Sequence, residues 1–150
     1  IAIRSARKLW QLKRCCRQQT ADCRPQTEHP MRDYKKIKAY QFANQLVVEI
    51  YKLTASFPKN ELYGLVSQVR RAAVSVACNI VEGSNRQTEK DYLHFLYIAK
   101  ASLAEARYLI ELSCQLGYLA EPDYKSLELL REETAKTLHG LIEVVHKNVE

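Results

Sequence analysis

Between Gln68 and Arg86 the chain sets Arg70-Arg71, Ser75, Asn79, Glu82 and Gly83 into one helical segment and its exit. A helix advances about 100° per residue, which gathers Gln68, Arg71, Ser75, Asn79 and Glu82 into one ~80° sector. Leu62, Val69, Ala73, Val76 and Ile80 fall on the opposite side and supply the core stripe. A guanidinium, a hydroxyl, an amide and a carboxylate in a row can do three things. They can form a solvated face, bind a ligand directly, or build a hydrogen-bonded network across helices or subunits. The network is the favoured reading, with Arg71 pairing a carboxylate such as Glu105 or Glu82, and Asn79 and Ser75 satisfying backbone groups at the helix exit.

A second set of residues suits phosphate. Arg70 lies about 100° off the polar stripe. With Arg86, Lys90, Lys35, Lys36 and Lys38 it can contribute to a cationic patch at one end of a bundle. Scattered lysines also serve solubility alone, so both readings stand. The nine tyrosines are expected in the core or an interface. Tyr40, Tyr51, Tyr92 and Tyr108 sit at or beside apolar stripes, where a ring packs and its hydroxyl reaches the rim.

A di-iron bundle needs Glu-x-x-His on two helices and a Glu on each of the others. Glu143-Val-Val-His146 and Asp91-Tyr-Leu-His94 approach that pattern, but His94 lies opposite Tyr92 and Leu96 on the wheel. The first two helices also offer no buried Glu pair, so neither a metal nor any other cofactor is expected. Nucleophile–base motifs, phosphate loops and paired catalytic carboxylates are absent from the sequence, which argues against catalysis.

The elements that position these residues read as four helices. The first runs from about Lys36 to Ser56, with Ile37, Tyr40, Val47, Ile50 and Thr54 near one face, and Pro58 stops it. Asn60 is the expected N-cap of the second, which ends at Gly83 in a left-handed conformation. Thr88-Glu-Lys-Asp91 reads as a capping box opening the third, whose core stripe is Tyr92, Leu96, Ala99, Leu103, Ala106 and Ile110. Gly117 ends it. Pro122 suits the first turn of the fourth, with Leu127, Leu130, Thr134, Leu138, Leu141 and Val145 inward. Short connections favour antiparallel neighbours, hence an all-α, up-down-up-down four-helix bundle. Phe95, Ile98, Leu109, Leu112 and Leu116 give the third helix a second apolar stripe, from which self-association is expected.

Composition bounds the rest. The 150 residues are 47% hydrophobic and contain few Gly or Pro, as a folded single domain requires. No apolar run approaches the ~20 residues that span a bilayer, so no membrane role is expected. Five cysteines without paired spacing suit reduced thiols in the cytoplasm. The net charge of +6 is unevenly spread. Residues 1–30 hold seven basic and two acidic side chains, leaving residues 31–150 almost balanced. Overall basicity is therefore no argument for a bundle that binds nucleic acid.

Residues 1–30 also hold the only Trp and three of the five Cys, and the only methionine, Met31, follows them. The expectation is a basic N-terminal extension, poorly ordered or separately helical, upstream of a native start at Met31. The alternatives are a cationic arm over Ile3–Arg14 that touches phosphates or an anionic membrane surface, and an organellar transit peptide.

Leu62-Tyr-Gly-Leu65, the Arg70-Arg-Ala-Ala-Val-Ser75 run, Asn79-Ile-Val-Glu-Gly-Ser84, the stretch Asp91–Glu105 and Leu116-Gly-Tyr-Leu119 together resemble the bacterial proteins named for intervening sequences in 23S ribosomal RNA genes. The resemblance covers residues 31–150. It implies a four-helix bundle that assembles as a homo-oligomer. A relative, the accessory protein of diversity-generating retroelements, implies a pentamer that binds structured RNA or DNA and a reverse transcriptase. The alternative is an oligomeric protein-interaction scaffold with no nucleic-acid role. The chain departs from the family at Ala77, where a Pro is common, at Val81, where an Ala is common, and at Ala101, where a Gly is usual. Ala77 should straighten the second helix, and Ala101 should relax a close helix–helix approach.

Overall fold

A computed structural model describes residues 32–149. The expectations for residues 1–30 lie outside the described residues. A 3-10 turn, Tyr34–Lys36, precedes four helices: α1 Lys38–Leu53, α2 Leu65–Ser84, α3 Glu89–Gln115 and α4 Glu121–Lys147. Each helix packs on the next, and α1 also packs on α4, which closes the antiparallel up-down-up-down bundle expected from the short connections.

The core is the sum of the four inward stripes. Leu46 and Ile50 of α1, Val69, Val76 and Ile80 of α2, Tyr92, Leu96 and Ile110 of α3, and Leu138 and Ile142 of α4 are all buried. On α1 the buried stripe is centred on Ala39, Ala43, Leu46 and Ile50. It is rotated from the expected line, so that Ile37, Tyr40 and Val47 are only half-buried. The buried serines and threonines are each hydrogen-bonded. Thr134 Oγ1 donates to Leu130 O at 2.8 Å and Ser113 Oγ to Leu109 O at 2.7 Å.

The helix ends divide into those local chemistry sets and those packing sets. Thr88 caps α3: its Oγ1 accepts the Asp91 amide at 3.0 Å and donates to Asp91 Oδ2 at 2.7 Å. At the other end of α3, Gly117 adopts φ 73°. Its N–H reaches Cys114 O at 2.9 Å and that of Tyr118 reaches Ser113 O at 3.0 Å, the two bonds of a Schellman turn.

The start and end of α2 differ from expectation. Asn60 lies in a 3-10 turn, Lys59–Glu61, and α2 begins later, at Leu65. Glu61 Oε2 accepts the Leu65 amide at 3.2 Å and supplies the satisfaction an N-cap would. Leu62, expected in the core, therefore stands outside α2 and is 47% exposed. Gly83 is not a left-handed terminator, because α2 continues through it to Ser84. A Cβ there would lie 2.9 Å from both Phe95 Cβ and Tyr92 Cδ2. Glycine is needed for the close approach of α2 and α3, not for its backbone freedom.

The second apolar stripe of α3 is also largely covered within the chain. Leu109 and Leu112 pack against the core, Phe95 and Ile98 are half-buried, and Leu116 alone of the five is exposed. Ala101 is exposed, so no close helix approach within the chain is relaxed there. No helix among the described residues is long and apolar enough to cross a membrane.

Candidate nucleic-acid interface

The antiparallel topology decides which cations meet. The 3-10 turn carries Lys35 and Lys36, and Lys38 opens α1. Arg86 follows α2, and Lys90 lies in the first turn of α3. Because α1 and α3 start where α2 ends, these five residues share one end of the bundle. Lys147 in the last turn of α4 comes to that end as well. Arg70 does not join them. It lies in the second turn of α2, about 24 Å along the chain's helical rise from Arg86. There its Nε donates to Thr54 Oγ1 at 2.8 Å and its guanidinium stacks 4.6 Å from the Tyr51 ring.

Sequence reasoning overlooked Arg32, which organises this end. Its guanidinium sits 4.6 Å over the Tyr92 ring, pairs with Glu89, and reaches Arg86 O at 3.5 Å. Arg86 in turn stacks 4.4 Å from the Phe95 ring and pairs with Glu82. Two guanidiniums thus lie on aromatic faces that are themselves packed under Gly83, which holds them in place. The signal available in the sequence was the run Arg32, Lys35, Lys36, Lys38, dense in cations just before an amphipathic helix.

Charge at this end is only partly neutralised. Lys36 pairs with Asp33 at 3.5 Å, and the two arginines have carboxylate partners. Among the described residues Lys35, Lys38 and Lys90 have no ion pair, so their ammonium groups are available to phosphate oxygens. Beneath the surface, burial pushes the Tyr92 hydroxyl up to about 12, with the Glu89 carboxylate adding to the rise and the Arg32 charge opposing it. That hydroxyl and Glu89 Oε2 are buried without hydrogen-bond partners.

The polar stripe of α2 runs along the α2–α3 seam. Arg71 Nη2 donates to Gln68 Oε1 at 2.8 Å and to Glu105 Oε1 at 2.8 Å, which ties α2 to α3. Ser75 Oγ and Ser102 Oγ are 2.9 Å apart across the same seam. Asn79 Nδ2 donates back to Ser75 O at 2.7 Å and to Ser75 Oγ at 3.1 Å. Glu82 turns away from Arg71 and pairs with Arg86. The stripe therefore splits: Arg71 and Ser75 reach α3, Gln68 and Asn79 support them from α2, and Glu82 joins the cationic end.

Two tyrosines leave the positions expected of them. Tyr92 is buried, whereas Tyr108 is 63% and Tyr51 45% exposed. His94 is exposed and stacks edge-on against Phe95, ring centres 5.9 Å apart; it points away from the core, as the wheel indicated.

A solved structure with the same fold is that of a protein of unknown function from the S23 ribosomal protein family of Bacteroides thetaiotaomicron VPI-5482, determined at 1.70 Å. It superposes with a TM-score of 0.65 at 24% identity, over 70% of this chain and 95% of that one. No protein of curated function matches the chain. The family model described as 23S rRNA-intervening sequence protein matches residues 35–140. The match takes in α1, α2 and α3 whole and α4 as far as Gly140, and the chain belongs to the 23S rRNA-intervening sequence protein family.

Proposed function

We propose that this protein is a non-enzymatic, self-associating adaptor that holds structured RNA or DNA by its phosphates. One observation carries the reading: Arg32, Lys35, Lys36, Lys38, Arg86 and Lys90 converge on one end of the bundle, and among the described residues three of those lysines have no ion pair. Contact is to the backbone, not to bases. Among the described residues the tyrosines at this end are packed, Tyr92 fully and Tyr34 and Tyr40 partly, so none of them offers an open face for base stacking. Self-association multiplies such a weak site, because each subunit contributes a further phosphate contact to one nucleic acid. The oligomer is a pentamer if the family resemblance extends that far, and a reverse transcriptase is the protein partner it implies. Cys78 and Cys114 are free thiols, which suits the cytoplasm.

The test is binding of the full chain to a structured RNA and a duplex DNA at two salt concentrations, with Lys35→Gln, Lys38→Gln and Lys90→Gln combined in one variant. Three lost phosphate contacts should weaken the log–log salt slope on duplex DNA by about 2–3. Unchanged affinity and slope would refute a site at this end. The seven basic side chains of residues 1–30 would then be the binding locus.

A second reading, a protein-interaction scaffold with no nucleic-acid role, is favoured by a different observation. Residues 31–150 are almost neutral, and Tyr51, Leu62 and Tyr63 stand exposed together at the end opposite the lysines. No binding of either nucleic acid at low salt would leave that reading in place.

A further inference from the structure

The end of the bundle away from the lysines carries two apolar depressions on either side of α1, and their charges are opposite. The first lies between α1 and α2 and measures about 500 Å³, with Tyr51, Leu62, Tyr63, Val66, Arg70 and Arg71 on its walls. Tyr63 is 90% exposed there. Among the described residues Arg70 has no carboxylate partner, and Arg71 shares one with α3. The second lies between α1 and α4 and measures about 400 Å³, with Glu49, Leu53, Asp123, Leu129, Leu130 and Glu133 on its walls. Leu129 is 67% exposed. Asp123 has no ion pair among the described residues, while Glu49 and Glu133 each hold a lysine of their own helix.

We propose that the arginine-rimmed α1–α2 patch of one copy seats in the carboxylate-rimmed α1–α4 groove of a second copy, Tyr63 entering beside Leu129 and Arg70 facing Asp123. The inference rests on the self-association proposed above and names its surfaces. Complementarity selects the pairing. Two α1–α2 patches face to face would oppose arginines, and two α1–α4 grooves would oppose carboxylates. Either like-charge arrangement is disfavoured, and the mixed one is attractive. Both surfaces belong to the same end and flank the same stretch of α1, with Tyr51 on one side and Glu49 and Leu53 on the other. Every copy thus offers one surface of each kind at one level of the bundle. Such a head-to-tail contact is heterologous, the kind that builds a ring when the rotation between copies is a whole fraction of a turn. Tyr63 has the character of an interface anchor, a rigid aromatic at the centre of an apolar patch with an arginine beside it.

The experiment is sedimentation velocity of the full chain across a concentration series, for wild type, Tyr63→Asp and Leu129→Asp. Both substitutions are at exposed positions, and circular dichroism verifies that each variant is folded. Each variant alone is expected to raise the dissociation constant at least tenfold. Mixed one to one, the two should form a dimer and nothing larger, since only one intact patch meets one intact groove. Assembly of either variant like wild type overturns the inference, and so does a mixture that stays monomeric. Loss of RNA binding by Tyr63→Asp with assembly intact also overturns it, assigning the patch to nucleic acid. A wild type that is monomeric throughout refutes the self-association reading itself, which separates the two failures.

Discussion

Two glycines inside helices make opposite demands, and the same substitution at each tests the packing account of this bundle. Gly140 lies within α4 with nothing inside 4 Å of where a Cβ would stand. Gly140→Ala should therefore show the intrinsic helix preference alone, a stabilisation of about 0.8–1 kcal/mol. Gly83 has the same helical backbone but a Cβ there would lie 2.9 Å from Phe95 Cβ and 2.9 Å from Tyr92 Cδ2. Phe95 Cβ is fixed to its own backbone, and the Tyr92 ring is held between Gly83 and Arg32, so neither can swing clear. Relief requires α2 and α3 to separate by several tenths of an ångström. Overpacking of this kind costs about 1–3 kcal/mol. Set against the propensity gain, the net expectation for Gly83→Ala is a loss of about 1 kcal/mol, or some 3 °C in Tm for a chain of this size. Urea unfolding at one fixed protein concentration measures both variants, the fixed concentration holding any contribution from assembly the same in each. If Gly83→Ala is as stable as wild type, or shifts in the same direction as Gly140→Ala, the close approach is not what requires glycine.

Tyr92→Phe should leave stability at neutral pH unchanged or raised by about 1 kcal/mol, because the hydroxyl it removes is buried and unpartnered. Burial raises the folded-state value to about 12 from 10. The wild type should therefore lose stability as pH rises from 10 to 12, where only the unfolded chain ionises Tyr92. That part of the loss should be missing from Tyr92→Phe in alkaline urea titrations. Arg71→Ala should cost only about 0.5 kcal/mol, since Arg71 and Glu105 are 65% and 44% exposed and water screens the pair. A double-mutant cycle with Glu105→Ala reads the coupling, and a value above about 1.5 kcal/mol would contradict a screened contact. Thr88→Ala should cost about 1 kcal/mol through loss of the α3 cap, and an unchanged urea midpoint would count against that cap.

Periodicity made the bundle legible from the chain. The stripe Tyr92, Leu96, Ala99, Leu103, Ala106 and Ile110 is buried at every position, because one helix face must leave water whatever it packs against. Thr88, Gly117 and Pro122 act as their types require, since capping is a matter of a few neighbouring residues. Helix α2 shows where local reasoning stops. A glycine after an acidic residue reads as a terminator, yet Gly83 is set by two rings from α3. An apolar Leu62 reads as core, yet the delayed start of α2 turns it outward. The first cause lies on another helix, and the second in the 3-10 turn that delays α2.

The candidate sites divide the same way. The sequence by itself determined that Lys35, Lys36, Lys38, Arg86 and Lys90 are charged and lie near helix ends, and that Gln68, Arg71, Ser75 and Asn79 share a face. Which of the candidate groupings form was decided by tertiary structure. Antiparallel packing brought the lysines to one end and sent Arg70 to the other, and the α2–α3 seam matched Arg71 to Glu105 and Ser75 to Ser102. A helix fixes angles between its own side chains over a few residues. Which side chains meet across helices depends on how far apart the axes pack and in which register, and residues such as Gly83 set that approach.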